Sequence, residues 1–223
     1  MSVNSEMGGT PGYLAVPPGK GPWPGLIVVQ EWWGLDAQTE SIADRFSREG
    51  FLAFAPDLFR GDLAPLGDHQ TALKYVQKHA DHVVGDMVAA FDTLKVRPDV
   101  TGKVGSVGFC FGGRMSLALA LERPVDAVCT FYGGQMQSLF GRMDALRSPV
   151  LGFFGDQDAS IPAGTIEEFK TILKRVGVDH EVIVYPDSGH AFFRDSDPSA
   201  YRAKAAQDAW PRAKTFFRKY LFQ

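Results

Sequence analysis

One cysteine of this chain stands between two glycines, in Gly108-Phe109-Cys110-Phe111-Gly112, after the apolar run Val104–Val107 and before an amphipathic stretch. A thiol presented at a sharp strand-to-helix bend is a nucleophile able to attack a carbonyl. The bend strains the backbone and crowds its neighbours, so side chains two positions away must be absent. A helix beginning near Gly112 points its N-terminus at the sulfur and favours negative charge there. It also offers the Phe111 N–H to a developing oxyanion. The plainer use of such a residue is as a small buried hydrophobe in a tight turn.

Two further positions answer to the cysteine. Gly155-Asp156-Gln157-Asp158-Ala159-Ser160-Ile161-Pro162 follows the apolar run 150–154, and Ser188-Gly189-His190 follows the run 181–185. Nucleophile, acid and histidine therefore occur in the order used by α/β-hydrolases. His190 is expected to hold Cys110 as a thiolate and Asp158 to fix the imidazole tautomer. Asp156 is the alternative acid if the loop is bulged. Aspartates in such loops are otherwise turn residues, and a lone loop histidine is otherwise solvated. His69, His79, His82 and His180 fall in helical or helix-exit contexts and are given that structural role.

These residues need a frame that collects strand ends. Strands are expected at 13–16, 26–29, 51–55, 104–107, 127–131, 150–154 and 181–185. Helices are expected at 37–49, at 69–95 with a break near Ala80-Asp81, and at 112–122, 163–176 and 198–220. Continuous apolar runs such as Leu26-Ile-Val-Val29 suit strands buried on both faces. Strand and helix alternate at least five times, which predicts an α/β fold: a mainly parallel twisted sheet covered on both faces, with no insertion long enough for a large lid. One domain is expected over residues 1–223. Ligands of such sheets sit beyond the carboxyl ends of the strands, where the three residues fall.

Bulk properties narrow the partners. With 223 residues, 45% hydrophobic, 22% charged and a formal net charge of −3, the chain has the balance of a globular protein and no polyanion-binding character, so nucleic acid is not expected. No apolar run is long enough to span a bilayer, and Met1 to Thr10 lacks the pattern of a secretory signal. Cys110 and Cys129 make no disulfide framework, so a cytoplasmic location with two free thiols is expected, Cys129 lying in the core. No histidines at ligand spacing sit beside carboxylates or cysteines, and nothing calls for an organic cofactor.

Gln30-Glu31-Trp32-Trp33-Gly34, Pro56-Asp57-Leu58, Gly108–Gly113, the Gly155–Pro162 loop and Ser188-Gly-His190 together resemble the dienelactone hydrolase family over roughly residues 11 to 220. The resemblance implies a carboxymethylenebutenolidase-like α/β-hydrolase with Cys110, Asp158 and His190 as triad. It implies that Glu31 contacts the resting thiol and helps to deprotonate it, and that the Trp32 N–H is a second oxyanion donor beside Phe111. The family's type substrate is a lactone bearing a carboxylate, for which Arg194, and more weakly Arg60, is the expected guanidinium. Trp32, Trp33, Phe109, Phe111, Phe192 and Phe193 give the site an aromatic character, with Trp33 expected to contact the substrate. The chain departs from the type enzyme in having no second arginine soon after Arg60. Hydrolysis of a small ester or lactone by a monomer or weak homodimer is thus the expected function. A thioesterase, a general carboxylesterase or a non-catalytic ligand-binding relative is the alternative.

Overall fold

A computed structural model describes residues 2–223. Eight strands form one sheet: β1 Ser2–Met7, β2 Thr10–Ala15, β3 Trp23–Val29, β4 Leu52–Pro56, β5 Val100–Phe109, β6 Ala127–Phe131, β7 Val150–Gly155 and β8 His180–Tyr185. Six α-helices connect and cover them: α1 Ala37–Arg48, α2 His69–His79, α3 Val83–Lys95, α4 Phe111–Glu122, α5 Ala163–Val176 and α6 Ala203–Leu221.

The strand order is β1-β2-β4-β3-β5-β6-β7-β8. The pairs from β4 through β8 are parallel, and only the β1–β2 and β2–β4 pairs are antiparallel. All five residues of β4 and of β6, and all six of β7, are buried, as two-sided coverage requires. α1 and α6 cover one face and meet through Phe46, Trp210 and Phe217. α3 and α4 pack together on the other, joined at the rim by Arg123 and Asp92.

Local signals explain the helix limits. Asp36 caps α1 by accepting from the Thr39 N–H at 3.0 Å, and Ile42, Ala43 and Phe46 form its buried stripe. The expected break in 69–95 lies between α2 and α3, at Ala80–His82.

Several expected boundaries move. β1 was not legible: Ser2–Met7 is polar, and main-chain pairing to β2 recruits it, with Met7 buried. The strand expected at 13–16 begins at Thr10, and that expected at 104–107 begins at Val100 after a register shift against β3. The final helix starts at Ala203 rather than 198. Asp197 instead organises a turn through the N–H groups of Ser199, Ala200 and Tyr201. A 3-10 helix at Met136–Ala145 had no sequence signal. Among the described residues, no helix is long and apolar enough to cross a membrane. The connections 57–68 and 186–202 both rise from carboxyl ends of strands, beside the elbow.

Candidate active site

The elbow between β5 and α4 is built by contacts that only glycine permits. A Cβ on Gly108 would lie 1.9 Å from the Gly112 carbonyl oxygen, and one on Gly112 would lie 2.4 Å from those of Val29 and Gln30. Between them Cys110 adopts φ 55°, ψ −116°, a conformation that costs a β-carbon-bearing residue about 1–3 kcal/mol. The surroundings hold it there: the Cys110 N–H donates to the Phe131 carbonyl at 3.0 Å, and its own carbonyl accepts from Gly113 and Gly134. The helix starts one residue earlier than expected, at Phe111. Among the described residues, the N–H groups of Phe111 and Trp32 donate to no other group.

His190 reaches this elbow from the loop after β8. Its side chain comes within electrostatic and hydrogen-bonding reach of Cys110, and its Nδ1 lies 2.6 Å from Asp158 Oδ2. Asp158 is buried, and its other oxygen accepts from the Ser160 N–H at 2.9 Å and the Ser160 hydroxyl at 2.6 Å. The same hydroxyl oxygen is 3.1 Å from His190 Nδ1. Asp156, the alternative acid, turns away and accepts from the Ser188 N–H at 3.4 Å, which ties the two loops together.

The electrostatics follow from the packing. Burial works against charge on His190, yet the negative charge of Cys110 and hydrogen bonds to Asp158 and Cys110 push its pKa up to about 11. Burial likewise opposes the Asp158 carboxylate, but His190 and Ser160 hold its pKa below the usual carboxylate range.

Glu31 lies beside this chain of groups, buried at the end of β3. Its Oε1 accepts from the Tyr132 hydroxyl at 3.2 Å and its Oε2 from Arg194 Nη1 at 3.0 Å. Arg194 Nη2 continues to Asp36 at 2.5 Å. Burial raises the Glu31 pKa although Arg194 and His190 pull it down. Among the described residues Glu31 makes no hydrogen bond to the thiol such as the resemblance implied; its oxygens accept from Tyr132 and Arg194.

Arg194 is correspondingly not a free guanidinium. It is buried between two carboxylates. Arg60 is exposed and turned onto both oxygens of Asp86 in α3, at 2.8 and 2.9 Å. Trp33 is buried against Trp32, Ala64, Ala72 and the His69 ring, a packing role rather than the expected contact surface. Trp32 is half-buried beside it. Phe109, Phe131, Phe192 and Phe193 stack behind the elbow. Glu31, Ile42, Phe109, Tyr132, Phe193 and Arg194 line a crevice too narrow to hold a water molecule.

Sequence reasoning missed Tyr132, Asp36, Ser160 and Arg114. Tyr132 had a usable signal, since it directly follows the apolar run of β6. Ser160 and Asp36 had local signals too, Ser160 standing two residues after Asp158 and Asp36 at the N-cap of α1, whereas the contacts of Asp36 with Arg194 and of Arg114 with Gln135 are made across the fold.

The sequence matches the family described as the dienelactone hydrolase family over residues 10–221. The chain belongs to this family. It is therefore a hydrolase of esters or lactones with the α/β-hydrolase fold. A protein of Methylorubrum extorquens, provisionally named a carboxymethylenebutenolidase, is 36% identical over 234 aligned residues, covering 99% of this chain and 80% of that protein. The protein usf of Aquifex pyrophilus is 34% identical over 220 residues, 94% of this chain and 93% of its own length. Among solved structures, a provisionally named dienelactone hydrolase of Klebsiella pneumoniae aligns with a TM-score of 0.86 at 28% identity, covering 99% of both chains. A dienelactone hydrolase-like promiscuous phosphotriesterase from metagenomic libraries aligns with a TM-score of 0.87 at 26% identity, covering 99% of this chain and 98% of its own.

Proposed function

We propose that this dienelactone hydrolase family member cleaves small esters or lactones with a Cys110–His190–Asp158 triad, through a thioester intermediate. The observation that carries the reading is His190, within electrostatic reach of Cys110 on one side and hydrogen-bonded on the other, through Nδ1, to buried Asp158. That is the geometry of a nucleophile, a base and the group that orients the base.

In the first half, the Cys110 thiolate adds to the substrate carbonyl carbon. The carbonyl electron pair moves to oxygen, where the Phe111 and Trp32 N–H groups stabilise it. The oxyanion collapses, the C–O bond to the leaving alcohol breaks, and the alkoxide takes the proton of the His190 imidazolium. With a lactone the alcohol stays tethered to the acyl group. In the second half, neutral His190 takes a proton from water as its oxygen adds to the thioester carbon. The C–S bond breaks, returning the thiolate beside a protonated His190 and releasing the acid. Asp158 stays ionised throughout and keeps the second imidazole nitrogen facing Cys110. Glu31 holds Arg194 and Tyr132 in place, and through them the floor of the site.

Iodoacetamide labelling and kinetics test this together. Selective alkylation at Cys110 over the fully buried Cys129 is expected, with loss of hydrolysis of 4-nitrophenyl butyrate and of a five-membered lactone. Mass spectrometry during turnover should find an acyl adduct on Cys110. Hydrolysis that persists undiminished in Cys110→Ala sinks the proposal. Saturable binding with no turnover by the wild type would replace it with a ligand-binding function.

A further inference from the structure

Apolar surface is left open beside the elbow. Among the described residues seven large hydrophobic side chains are exposed, and three of them, Leu63, Leu66 and Leu73, fall together in the loop 57–68 and α2. α2 buries only Ala72 and His79, whereas α4, one residue longer, buries nine of its side chains or glycines. Much of the apolar side of α2 therefore has no protein cover. An open apolar patch rimmed by polar groups, next to a reactive side chain, is a surface for a ligand to cover.

That surface is joined to the elbow and anchored. Phe59 packs on Phe111, the residue after Cys110, with ring centres 5.6 Å apart. The half-buried Trp32 ring stands 5.2 Å from that of Trp33 and 5.4 Å from that of His69, the first residue of α2. Leu73 follows His69 by one helical turn and so shares its face. Leu63 lies against Gly34, where a Cβ would come within 3.3 Å of it. The Ala64 N–H donates to the Trp33 carbonyl at 2.8 Å, Asp68 caps α2, and His79 lies 2.7 Å from Asp62. Charges along the loop are thus committed to holding it, Asp62 also taking Lys78 and Arg60 taking Asp86.

Strand order decides which part of a substrate meets this patch. His190 and Asp158 stand on the loops after β8 and β7, to one side of β5. Trp32 and the loop 57–68 follow β3 and β4, to the other. The leaving alcohol takes its proton from His190 and lies on that side, so the acyl chain runs toward Trp32. We propose that Trp32, His69, Leu63 and Leu73 form an acyl subsite that selects esters whose acyl group ends in an apolar or aromatic group. The inference rests on the proposed hydrolysis at Cys110. Covering the patch removes apolar surface of both partners from water, and the Trp32 and His69 rings add edge and face contacts to an aromatic group.

The 4-nitrophenyl esters of 3-phenylpropanoic and propanoic acid share a leaving group and differ by a phenyl ring at the end of the acyl chain. Wild-type kcat/KM should favour the phenylpropanoate about tenfold to a hundredfold. Leu63→Ser/Leu73→Ser, at exposed positions, should reduce that preference about threefold to tenfold. Equal turnover of the two esters by wild type, or equal losses on both in the variant, would overturn the assignment. Concentration-dependent dimerisation that the same variant abolishes would give the patch to a second copy of the chain and overturn it too. A second arm does not depend on turnover: NMR of Cys110→Ala titrated with 4-phenyl-2-butanone, which carries the same phenylpropanoyl group. Saturable shifts of the Leu63 and Leu73 methyls and the Trp32 indole N–H are expected. Such shifts with no hydrolysis of either ester by wild type would keep the subsite and count against the proposed function alone. Saturable shifts confined to other residues, or none, would overturn the subsite.

Discussion

The two ends of the sheet treat charge in opposite ways. At the carboxyl ends of the strands, Glu31, Asp158 and Arg194 are buried, and Cys110, Tyr132, Gln135, Asp187 and Ala191 all take positive φ without being glycine. At the amino ends of β7 and β8 the surface holds an open depression of about 650 Å³ bounded by Asp144, Arg147, Arg175, Asp179 and Tyr220. The charges there pair with each other in water, as in Arg175–Asp144 and Lys219–Asp179. Desolvated charge on a strained backbone, not the size of a depression, marks the chemical end of this molecule. Exposed ion pairs contribute little to stability, whereas removing one partner of a buried pair is costly because it leaves an uncompensated charge.

Substitutions at the two ends should separate accordingly. The largest effect is expected at the nucleophile: Cys110→Ala should lower kcat/KM for small esters by about a thousandfold or more. Arg194→Ala should come next, by leaving Glu31 and Asp36 uncompensated, and should cost about 3–5 kcal/mol in urea unfolding. An unfolding midpoint that does not move would mean the Glu31–Arg194–Asp36 group contributes nothing to stability.

Protonation gives the third test. The pKa of His190 is raised, so its contribution to stability is complete below the ordinary imidazole value, about 6.5, and is lost as pH rises through about 11. Cys110→Ala removes the negative charge that contributes to this rise, so the His190 ring should titrate lower by NMR and the alkaline loss of stability should begin earlier. An unchanged His190 titration would contradict the contact.

Ser160→Ala is expected to act more gently. It removes a hydroxyl that holds Asp158 ionised, so kcat should fall about threefold to tenfold, a typical hydrogen-bond contribution. Because the Asp158 pKa is depressed, its stabilisation exists above the ordinary carboxylate range and is lost as pH falls. The variant should therefore move the acid limb of the rate profile to higher pH. A uniform loss at every pH would reduce Ser160 to a loop-packing residue. Smallest of all, Arg175→Ala at the amino ends should change stability by less than about 0.5 kcal/mol and leave turnover within about twofold. A larger loss of turnover there would break the contrast between the ends.

The sequence alone determined the alternation of strand and helix, the glycine-flanked elbow and the order of cysteine, acid and histidine, because these are written in local periodicity and in residues such as Gly108 and Gly112 that only one backbone geometry requires. Ser2–Met7 escaped it because an antiparallel edge strand is held by main-chain pairing, which leaves little mark on side-chain pattern. Loop spacing already favoured Asp158 over Asp156, but Glu31 was bound to Tyr132 and Arg194, and Arg60 was sent to Asp86, only by the tertiary structure. Those outcomes depend on groups up to 163 residues apart in the chain, and a charge takes its partner according to which neighbours share its desolvated volume.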